Sequence, residues 1–367
     1  MLVEAGKHSP ALISDPEYSV ILTSNQCPPV SIFISENIPT PRKHHHLALA
    51  RRNKYVASVR AIADSTTYHL CATMPSPLQV DVYVAPAIRA VTGLEEPSKQ
   101  LWSPICCTLI QGPTSAVLVD TPTTVELARG LSDWVKKTAP GKKLKYIYTT
   151  HAHGDHFFGN PILLEDFPEA KCVATTFVVQ GIRGALTKEG IDFWKAMFPN
   201  GQIPAGQFVP ECLPTSGEFS IDGHSFFGKD VTFSDTNYSS FLYVPDSDLV
   251  VAGDIVYGDC FQHCAEANSA EKRRHWLDAL DQIAQLKPSM VIPGHKRASQ
   301  VDGPYLIQMT KDYIMAFEED LQKWDDPVKV EESMKKRYPV RWNNFILDRS
   351  CVASVAVRLE AKKKASI

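Results

Sequence analysis

Six consecutive residues carry the strongest chemical signal in the chain: His151, Ala152, His153, Gly154, Asp155 and His156. Three imidazoles and a carboxylate are ligand types suited to zinc or a comparably borderline metal, at about 2.0 to 2.2 Å. On a loop at a strand end, His151 and His153 can point the same way, while Asp155 and His156 lie one short turn further on. The spacing therefore predicts a metal site with room for two ions, rather than a chance run of polar loop residues.

Two further ligand types follow apolar runs elsewhere in the chain. Asp254 ends the run LVVAGD, and His295 ends the run SMVIPGH. A carboxylate or imidazole at the tip of a buried strand needs a partner, which a metal can provide. Each is weak evidence alone, because such an Asp more often caps a helix or turn and a lone His more often lies in a core. Together with residues 151–156, they predict one converging ligand set.

The elements that must position these residues alternate between strands and helices. QVDVYVAP and ICCTLIQGPTSAVLVD are typical of strands with a turn at Gly112 and Pro113, and TPTTVELARGLSDWVKKTAP is typical of a helix. KLKYIYTT predicts a strand that runs into the histidine cluster, and a second strand and helix set follows over residues 219–295. This pattern predicts an α/β (α+β) fold, an αββα sandwich of two mixed β-sheets flanked by helices, with the site on loops at one edge.

The order of the motifs resembles that of the metallo-β-lactamase superfamily over roughly residues 79–300. The motifs that carry the resemblance are Asp120 after a strand, then HAHGDH, AGDIVY and PGHK. The resemblance implies that His151 and His153 serve one metal, and that Asp254 bridges to a second. It implies that the second metal is held by Asp155, His156 and His295.

Asp120, in AVLVDT, matches the family's early Asp. The resemblance implies that it supports the site as a hydrogen-bond acceptor behind a ligand. The alternative is a helix N-cap before TPTT, and both roles can coexist.

The chain departs from the family pattern at one position. The family usually places another His, often in a Gly-His-Thr context, before the bridging Asp, whereas this chain has KDVTFSDTNYSS with Phe233 at that position and Asp235 two residues on. Either Asp235 substitutes as an oxygen ligand, or the first metal is weakly held and the enzyme works chiefly with the second. The sequence favours the weakened first site, with Asp235 at the pocket edge.

These residues predict a metal-dependent hydrolase in which metal-bound hydroxide attacks an ester, lactone, thioester or amide of a small organic substrate. Asp155 is the predicted catalytic residue, orienting the nucleophile and relaying a proton. Zinc is the expected cofactor, at one or two ions per chain, with iron or manganese as alternatives. Two other functions remain open: a phosphodiesterase or nuclease, which would want a basic channel, and a non-catalytic or iron-redox member of the same fold.

The predicted substrate pocket is apolar and comprises Trp194, Phe233, Phe261 and His263, with ordinary core packing as the alternative for the aromatic residues. The near-neutral charge, −3 at pI 6.5, argues against nucleic acid as a partner, and no apolar run is long enough to cross a membrane. Nine scattered cysteines and the absence of a secretory pattern predict a cytoplasmic protein with reduced thiols. The oligomeric state is not indicated.

Three segments are predicted along the chain. Residues 1–76 mix Pro, Ser and Asn with a basic stretch and are expected to form a poorly ordered N-terminal extension, with an ordered appendage as the alternative. Residues 77–325 are expected to form the metallo-β-lactamase-like domain. Residues 326–367 are expected to form a charged helical tail.

Overall fold

The computed structural model describes residues 77–365 and, before them, the backbone of four short strands. Strand β1 (Leu12–Asp15) pairs with β2 (Tyr18–Ile21), and β3 (Val59–Asp64) pairs with β4 (Thr67–Ala72), both antiparallel. The rest of the predicted N-terminal extension lies outside the described residues. The chain divides after Pro75, and the second unit, Ser76–Ile367, contains every predicted site residue.

The first sheet of this unit has six strands. They are β5 (Gln79–Ala85), β8 (Ile105–Gln111), β9 (Ser115–Val119), β10 (Lys143–Tyr148), β11 (Lys171–Ala174) and β12 (Glu211–Cys212). Their spatial order is β12-β11-β10-β9-β8-β5. Two short strands, β6 (Ile88–Arg89) and β7 (Leu101–Trp102), pair with each other between β5 and β8 in sequence. The predicted hairpin at Gly112 and Pro113 is confirmed, since β8 and β9 are antiparallel neighbours.

The second sheet has five strands. They are β13 (Glu218–Ile221), β14 (His224–Asp230), β15 (Ser240–Val244), β16 (Leu249–Val251) and β17 (Met290–Ile292), adjacent in that order. All neighbours are antiparallel except β16 and β17, which run parallel. The carboxyl ends of β16 and β17 therefore open at the same edge, where Asp254 and His295 follow.

Eight helices complete the unit. They are α1 (Val125–Thr138), α2 (Asn160–Asp166), α3 (Thr176–Ala185), α4 (Lys188–Met197), α5 (Ala270–Gln285), α6 (Tyr305–Lys323), α7 (Pro327–Arg337) and α8 (Asn344–Ala365). Local chemistry explains where several of them begin. The side chains of Thr124, Thr175, Thr187 and Ser269 each accept a hydrogen bond from a backbone N–H in the first turn of α1, α3, α4 and α5. Among the described residues, no helix is both long enough and apolar enough to cross a membrane.

Three hydrophobic clusters show how these layers pack. One cluster lies between the two sheets and includes Val117 and Tyr148 from the first sheet and Leu242 and Val251 from the second. A second cluster joins the first sheet to α1–α4, and a third joins the second sheet to α5–α8. The mixed sheets are thus stacked face to face with helices outside, which confirms the predicted αββα sandwich.

The C-terminal segment is more deeply integrated than the predicted charged tail. Leu347, Cys351 and Val355 of α8 are buried in the outer cluster of the second sheet, and Phe345 is buried in that of the first. Residues after 325 belong to the same compact unit as the domain before them. The boundary predicted at residue 325 therefore does not separate compact units, because α8 contributes core surface to both layers.

Candidate metal centre

The predicted ligands come from loops that leave the carboxyl ends of strands in both sheets. Residues 149–156 follow β10, with a 3-10 turn over Gly154–His156. Asp254 lies in another 3-10 turn, Gly253–Ile255, after β16, and His295 follows β17. His151 is also bridged to Ser239, which lies just before β15. Loops of two sheets thus meet at one edge, as the sequence predicts.

One group of ligand atoms surrounds His156. Its Nε2 atom lies 3.3 Å from His295 Nε2 and 3.3 Å from Asp254 Oδ1, while Asp254 Oδ2 lies 3.2 Å from His295 Nε2. Ligand atoms about 2.05 Å from a tetrahedral zinc lie about 3.3 Å from one another. Asp155 Oδ2 is somewhat further out, 3.6 Å from His295 Nε2 and 3.9 Å from His156 Nε2. The distances therefore fit a shared cation.

The outer ring nitrogens of His156 and His295 are already occupied. His156 Nδ1 lies 2.9 Å from the Asp120 carboxylate, and His295 Nδ1 lies 2.8 Å from the carbonyl oxygen of Pro104. Both partners accept hydrogen bonds, so each Nδ1 carries a proton and each Nε2 is the nitrogen that faces inward. Asp254 raises the pKa of both rings against the effect of burial, and a cation bound between the two Nε2 atoms would take the place of the proton.

A second group of ligand atoms surrounds His153. His153 Nδ1 lies 2.9 Å from Asp235 Oδ2, which is 3.9 Å from His151 Nε2, and Asp254 completes this group. Glu266 Oε1 lies 3.0 Å from His153 Nε2 and accepts a hydrogen bond from it, so Nδ1 is the nitrogen that faces Asp235. His151 donates from Nδ1 to Thr150 Oγ1 at 3.0 Å, which leaves its Nε2 directed into the same space.

The electrostatic environment favours metal-binding forms of His151 and Asp254. Burial, reinforced by His156, holds the pKa of His151 well below its usual range and keeps the ring neutral. Burial alone would raise the pKa of Asp254, but His295 and His156 hold that pKa well below its usual range. A neutral imidazole and an ionised carboxylate are the protonation states in which these groups ligate.

Three buried atoms provide an independent test of whether a metal fits. His151 Nε2, Asp235 Oδ2 and Asp254 Oδ1 have no hydrogen-bond partner among the described residues. All three face the space enclosed by the two groups of ligand atoms. Buried polar atoms without partners are costly, and a divalent cation at this place would satisfy them together. The donor set therefore fits one or two divalent ions.

Several contacts at the site were not predicted from the sequence. Tyr257 donates from its hydroxyl to Asp254 Oδ2, Trp102 donates from its indole to Asp155 Oδ2 at 2.9 Å, and Glu266 orients His153. Tyr257 lies three residues after Asp254, a spacing that places both on the same side of a short turn. Trp102 and Glu266 are distant in sequence, and no local pattern indicates their partners.

The predicted pocket residues lie in different surroundings. Phe233 and Phe261 are buried in the outer cluster of the second sheet, and Trp194 packs edge-on against Trp102 with ring centroids 5.4 Å apart. His263 lies beside the candidate ligands, with its ring 5.2 Å from that of His153. Its Nδ1 atom is buried with no hydrogen-bond partner in the part of the chain described. Core packing thus accounts for Phe233, Phe261 and Trp194.

Asp120 anchors the loop that carries the ligands. Its carboxylate accepts hydrogen bonds from the backbone N–H and the hydroxyl of Thr150, both at 2.8 Å, and from His156. The alternative role as a helix cap falls to Thr124, which caps α1. We expect Asp120→Asn to weaken metal binding by about 10- to 100-fold, because an amide cannot accept all three hydrogen bonds. Chelator competition with zinc measures this change.

Asp222 provides a matched control for this substitution. Like Asp120 it has a positive φ, 48° against 62°, and it accepts several hydrogen bonds, from Thr114 and Ser115. It lies in the β13–β14 turn, away from the ligands. Asp222→Asn is expected to leave zinc affinity unchanged, and equal losses in both variants would contradict the role assigned to Asp120.

The comparison with protein families agrees with this geometry. The model of the metallo-beta-lactamase superfamily matches residues 102–295, more than half of the chain. The matched range begins at Trp102 and ends at His295, so it includes every candidate ligand.

Individual relatives are more distant. An (R)-specific secondary-alkylsulfatase from a Pseudomonas species is 30% identical over 127 residues, which are 35% of this chain and 18% of that protein. The chain thus spans under a fifth of that relative's length. Among solved structures, a metallo-beta-lactamase from Pontibacter korlensis is 16% identical with a TM-score of 0.46, over 70% of this chain and 99% of its own. A metallo-beta-lactamase family protein from Thermus thermophilus is 17% identical with a TM-score of 0.48, over 76% of this chain and 94% of its own. With the ligand order, the sandwich and the family match in agreement, the chain belongs to the metallo-beta-lactamase superfamily.

Proposed function

We propose that this protein is a metal-dependent hydrolase that cleaves an ester, lactone, thioester or amide bond of a small organic molecule. The observation that carries the proposal is the inward direction of four imidazole nitrogens, from His151, His153, His156 and His295, into a buried space shared with three carboxylates. Imidazole nitrogens and carboxylate oxygens converging at these distances are the ligand set that a divalent cation requires.

Two sets of residues would hold the metals. His151, His153 and Asp235 would bind one ion, and Asp155, His156 and His295 would bind the other, with Asp254 adjacent to both sets. A bound divalent metal lowers the pKa of water towards about 7 and polarises a substrate oxygen. Imidazole with carboxylate suits zinc, and iron or manganese are the alternatives.

Asp155 is the proposed catalytic residue. Its Oδ2 atom accepts the hydrogen bond from Trp102, and this contact fixes the orientation of the carboxylate beside His156 and His295. A carboxylate so fixed can orient the attacking water and accept its proton, and later return that proton to the leaving group. His263, whose ring lies 5.2 Å from that of His153, is the proposed substrate contact.

A second substrate class has a specific observation in its favour. The relative described as an (R)-specific secondary-alkylsulfatase shares 30% identity over 127 residues. Sulfate esters of small alcohols therefore belong beside carboxylic esters in any substrate panel. Hydrolysis of a sulfate ester alone would shift the proposal from acyl to sulfuryl transfer while leaving the metal centre unchanged.

Metal removal tests the proposed chemistry directly. We expect chelator-treated protein, with metal loss verified by elemental analysis, to lose at least 99% of its hydrolytic rate on whichever ester, lactone, thioester, amide or sulfate ester the metal-loaded protein cleaves, an effect on the order of 10²-fold or more. Added zinc should restore the rate. Full activity in the verified metal-free protein would contradict a metal-dependent mechanism.

A further inference from the structure

The segment Trp102–Pro104 begins at the last residue of β7, and its first and third residues contact two of the proposed metal ligands. Trp102 donates from Nε1 to Asp155 Oδ2 at 2.9 Å, and the carbonyl oxygen of Pro104 accepts from His295 Nδ1 at 2.8 Å. The segment Trp102–Pro104 thus contacts ligands that lie 53 and 191 residues away in sequence.

The indole contact fixes one rotamer of Asp155. Trp102 is only 8% exposed, and its ring lies among Trp194, Phe198 and Phe345, with centroid separations of 5.4, 5.9 and 6.1 Å. A ring held on several sides presents its N–H in one direction. Because Oδ2 is also the Asp155 atom nearest to His295, the hydrogen bond orients the atom that would bind the metal and leaves it a further lone pair.

The backbone contact fixes the tautomer of His295. A carbonyl oxygen can only accept, so Nδ1 of His295 carries a proton and Nε2 is the nitrogen left to face His156 and the proposed metal. Outer contacts of this kind orient a ligand ring and raise its basicity.

The C-terminal segment holds Trp102–Pro104 in place. Asn343, which lies directly before α8, donates from Nδ2 to Ser103 Oγ at 2.8 Å, and its Oδ1 accepts from the backbone N–H of Ile346. Both Ser103 and Asn343 are buried. The residue after Pro104 begins β8, and Cys106 N donates to the carbonyl oxygen of Gly294, next to His295. The segment is therefore fixed at both ends.

From this geometry we infer that Trp102–Pro104 is a positioning segment that orders Asp155 and His295 together for the second metal. The inference rests on the proposed function, because it needs a metal at that place. It assigns Asn343, the residue directly before α8, a part in metal binding through Ser103. Trp102 is a positioning residue here, since it acts on the metal through Asp155.

The test is the zinc affinity of each site in Trp102→Phe, measured on the full chain by chelator competition together with the visible spectrum of the cobalt-loaded protein. Phe keeps most of the ring volume but lacks the N–H. We expect the weakening to be confined to one equivalent, by about 10- to 100-fold, with an altered cobalt spectrum. The other equivalent should keep its affinity.

Trp194→Phe is the matched control, because Trp194 belongs to the same aromatic cluster and lies 5.4 Å from Trp102. It should keep both affinities and the cobalt spectrum even if it unfolds at a lower temperature. Ser103→Ala provides a milder variant if Trp102→Phe fails to fold, and should weaken the same equivalent by about 3-fold, as expected for loss of one neutral hydrogen bond. The inference would be overturned if Trp102→Phe left the zinc affinity unchanged, or if Ser103→Ala did so in the case where it replaces Trp102→Phe. Equal losses of affinity in Trp102→Phe and Trp194→Phe would overturn it as well. A wild-type protein that binds no metal would instead overturn the proposed function.

Discussion

Asp254→Asn is expected to lower kcat/KM by about 10³-fold, which corresponds to about 4 kcal/mol of transition-state stabilisation. Asp254 lies against both groups of ligands, since its two oxygens are 3.3 Å from His156 Nε2 and 3.2 Å from His295 Nε2, and it also belongs to the group with His151 and His153. Asparagine preserves the shape and can still accept the Tyr257 hydrogen bond, but it removes the charge. Steady-state kinetics measure the loss of kcat/KM, and elemental analysis measures the metal content. The metal content should fall by at least one equivalent per chain.

Asp259 offers the control for this substitution. It is a buried carboxylate five residues further along the same loop, and it pairs with Arg297 instead of the ligands. Asp259→Asn should lower thermal stability while retaining metal and activity per folded molecule. If Asp254→Asn keeps its full metal content and rate, Asp254 is not a ligand and the assignment of the centre is wrong.

Asp235→Asn is expected to remove one metal equivalent and lower kcat/KM by about 10- to 100-fold, the range in which the remaining ion still functions. Asp235 is completely buried, and its Oδ2 atom lies 2.9 Å from His153 Nδ1 with no hydrogen-bond partner in the described residues. The asparagine side chain is uncharged, so it would no longer neutralise a cation bound beside position 235. The measurement is zinc stoichiometry after dialysis against a limiting chelator.

The same substitution separates the two alternatives left by the sequence. Loss of one equivalent in Asp235→Asn means that Asp235 stands in for the family's missing His. A wild-type protein with one tight metal, unaffected by Asp235→Asn, supports the weakened first site. Asp230→Asn is the control, because Asp230 ends β14 nearby and accepts from Thr175. It should leave the stoichiometry unchanged.

The six candidate ligands could be selected from the sequence because their positions depend on strand ends. His151, Asp254 and His295 each follow an apolar run within a few residues, and such runs are readable from composition alone. The parallel pairing of β16 and β17 then brings the last two to one edge. Convergence is thus a consequence of topology, which the alternating pattern of elements also indicates.

The residues that orient the ligands could not be predicted, because their contacts span long stretches of sequence. Trp102 meets Asp155 across 53 residues, and Glu266 meets His153 across 113. No regular sequence spacing predicts either of these contacts. Asp235 could be identified from the sequence as a possible ligand, but its orientation could not. A 3.0 Å hydrogen bond joins the backbones of Ser234 and Thr236, and the backbone bends between them. This bend directs Asp235 inward, while Phe233 packs in the core.

Helix α8 was predicted as part of a charged helical tail, and its sequence carries only a short signal of burial. Leu347, Cys351 and Val355 recur every four residues and form its buried stripe. Many charged residues surround them towards the C-terminus, so the average composition conceals the stripe. Over the whole helix the apolar residues do not keep to one face, so neither periodicity nor net charge predicts its burial.

The most direct measurement of the central claim is the number of divalent metal ions retained per folded chain, determined by elemental analysis after exhaustive dialysis. If His151, His153, His156 and His295 direct their lone pairs at shared cations, the protein retains one to two equivalents, and His156→Ala loses at least one. A folded protein that retains no zinc, iron or manganese, even after incubation with each, would contradict the claim.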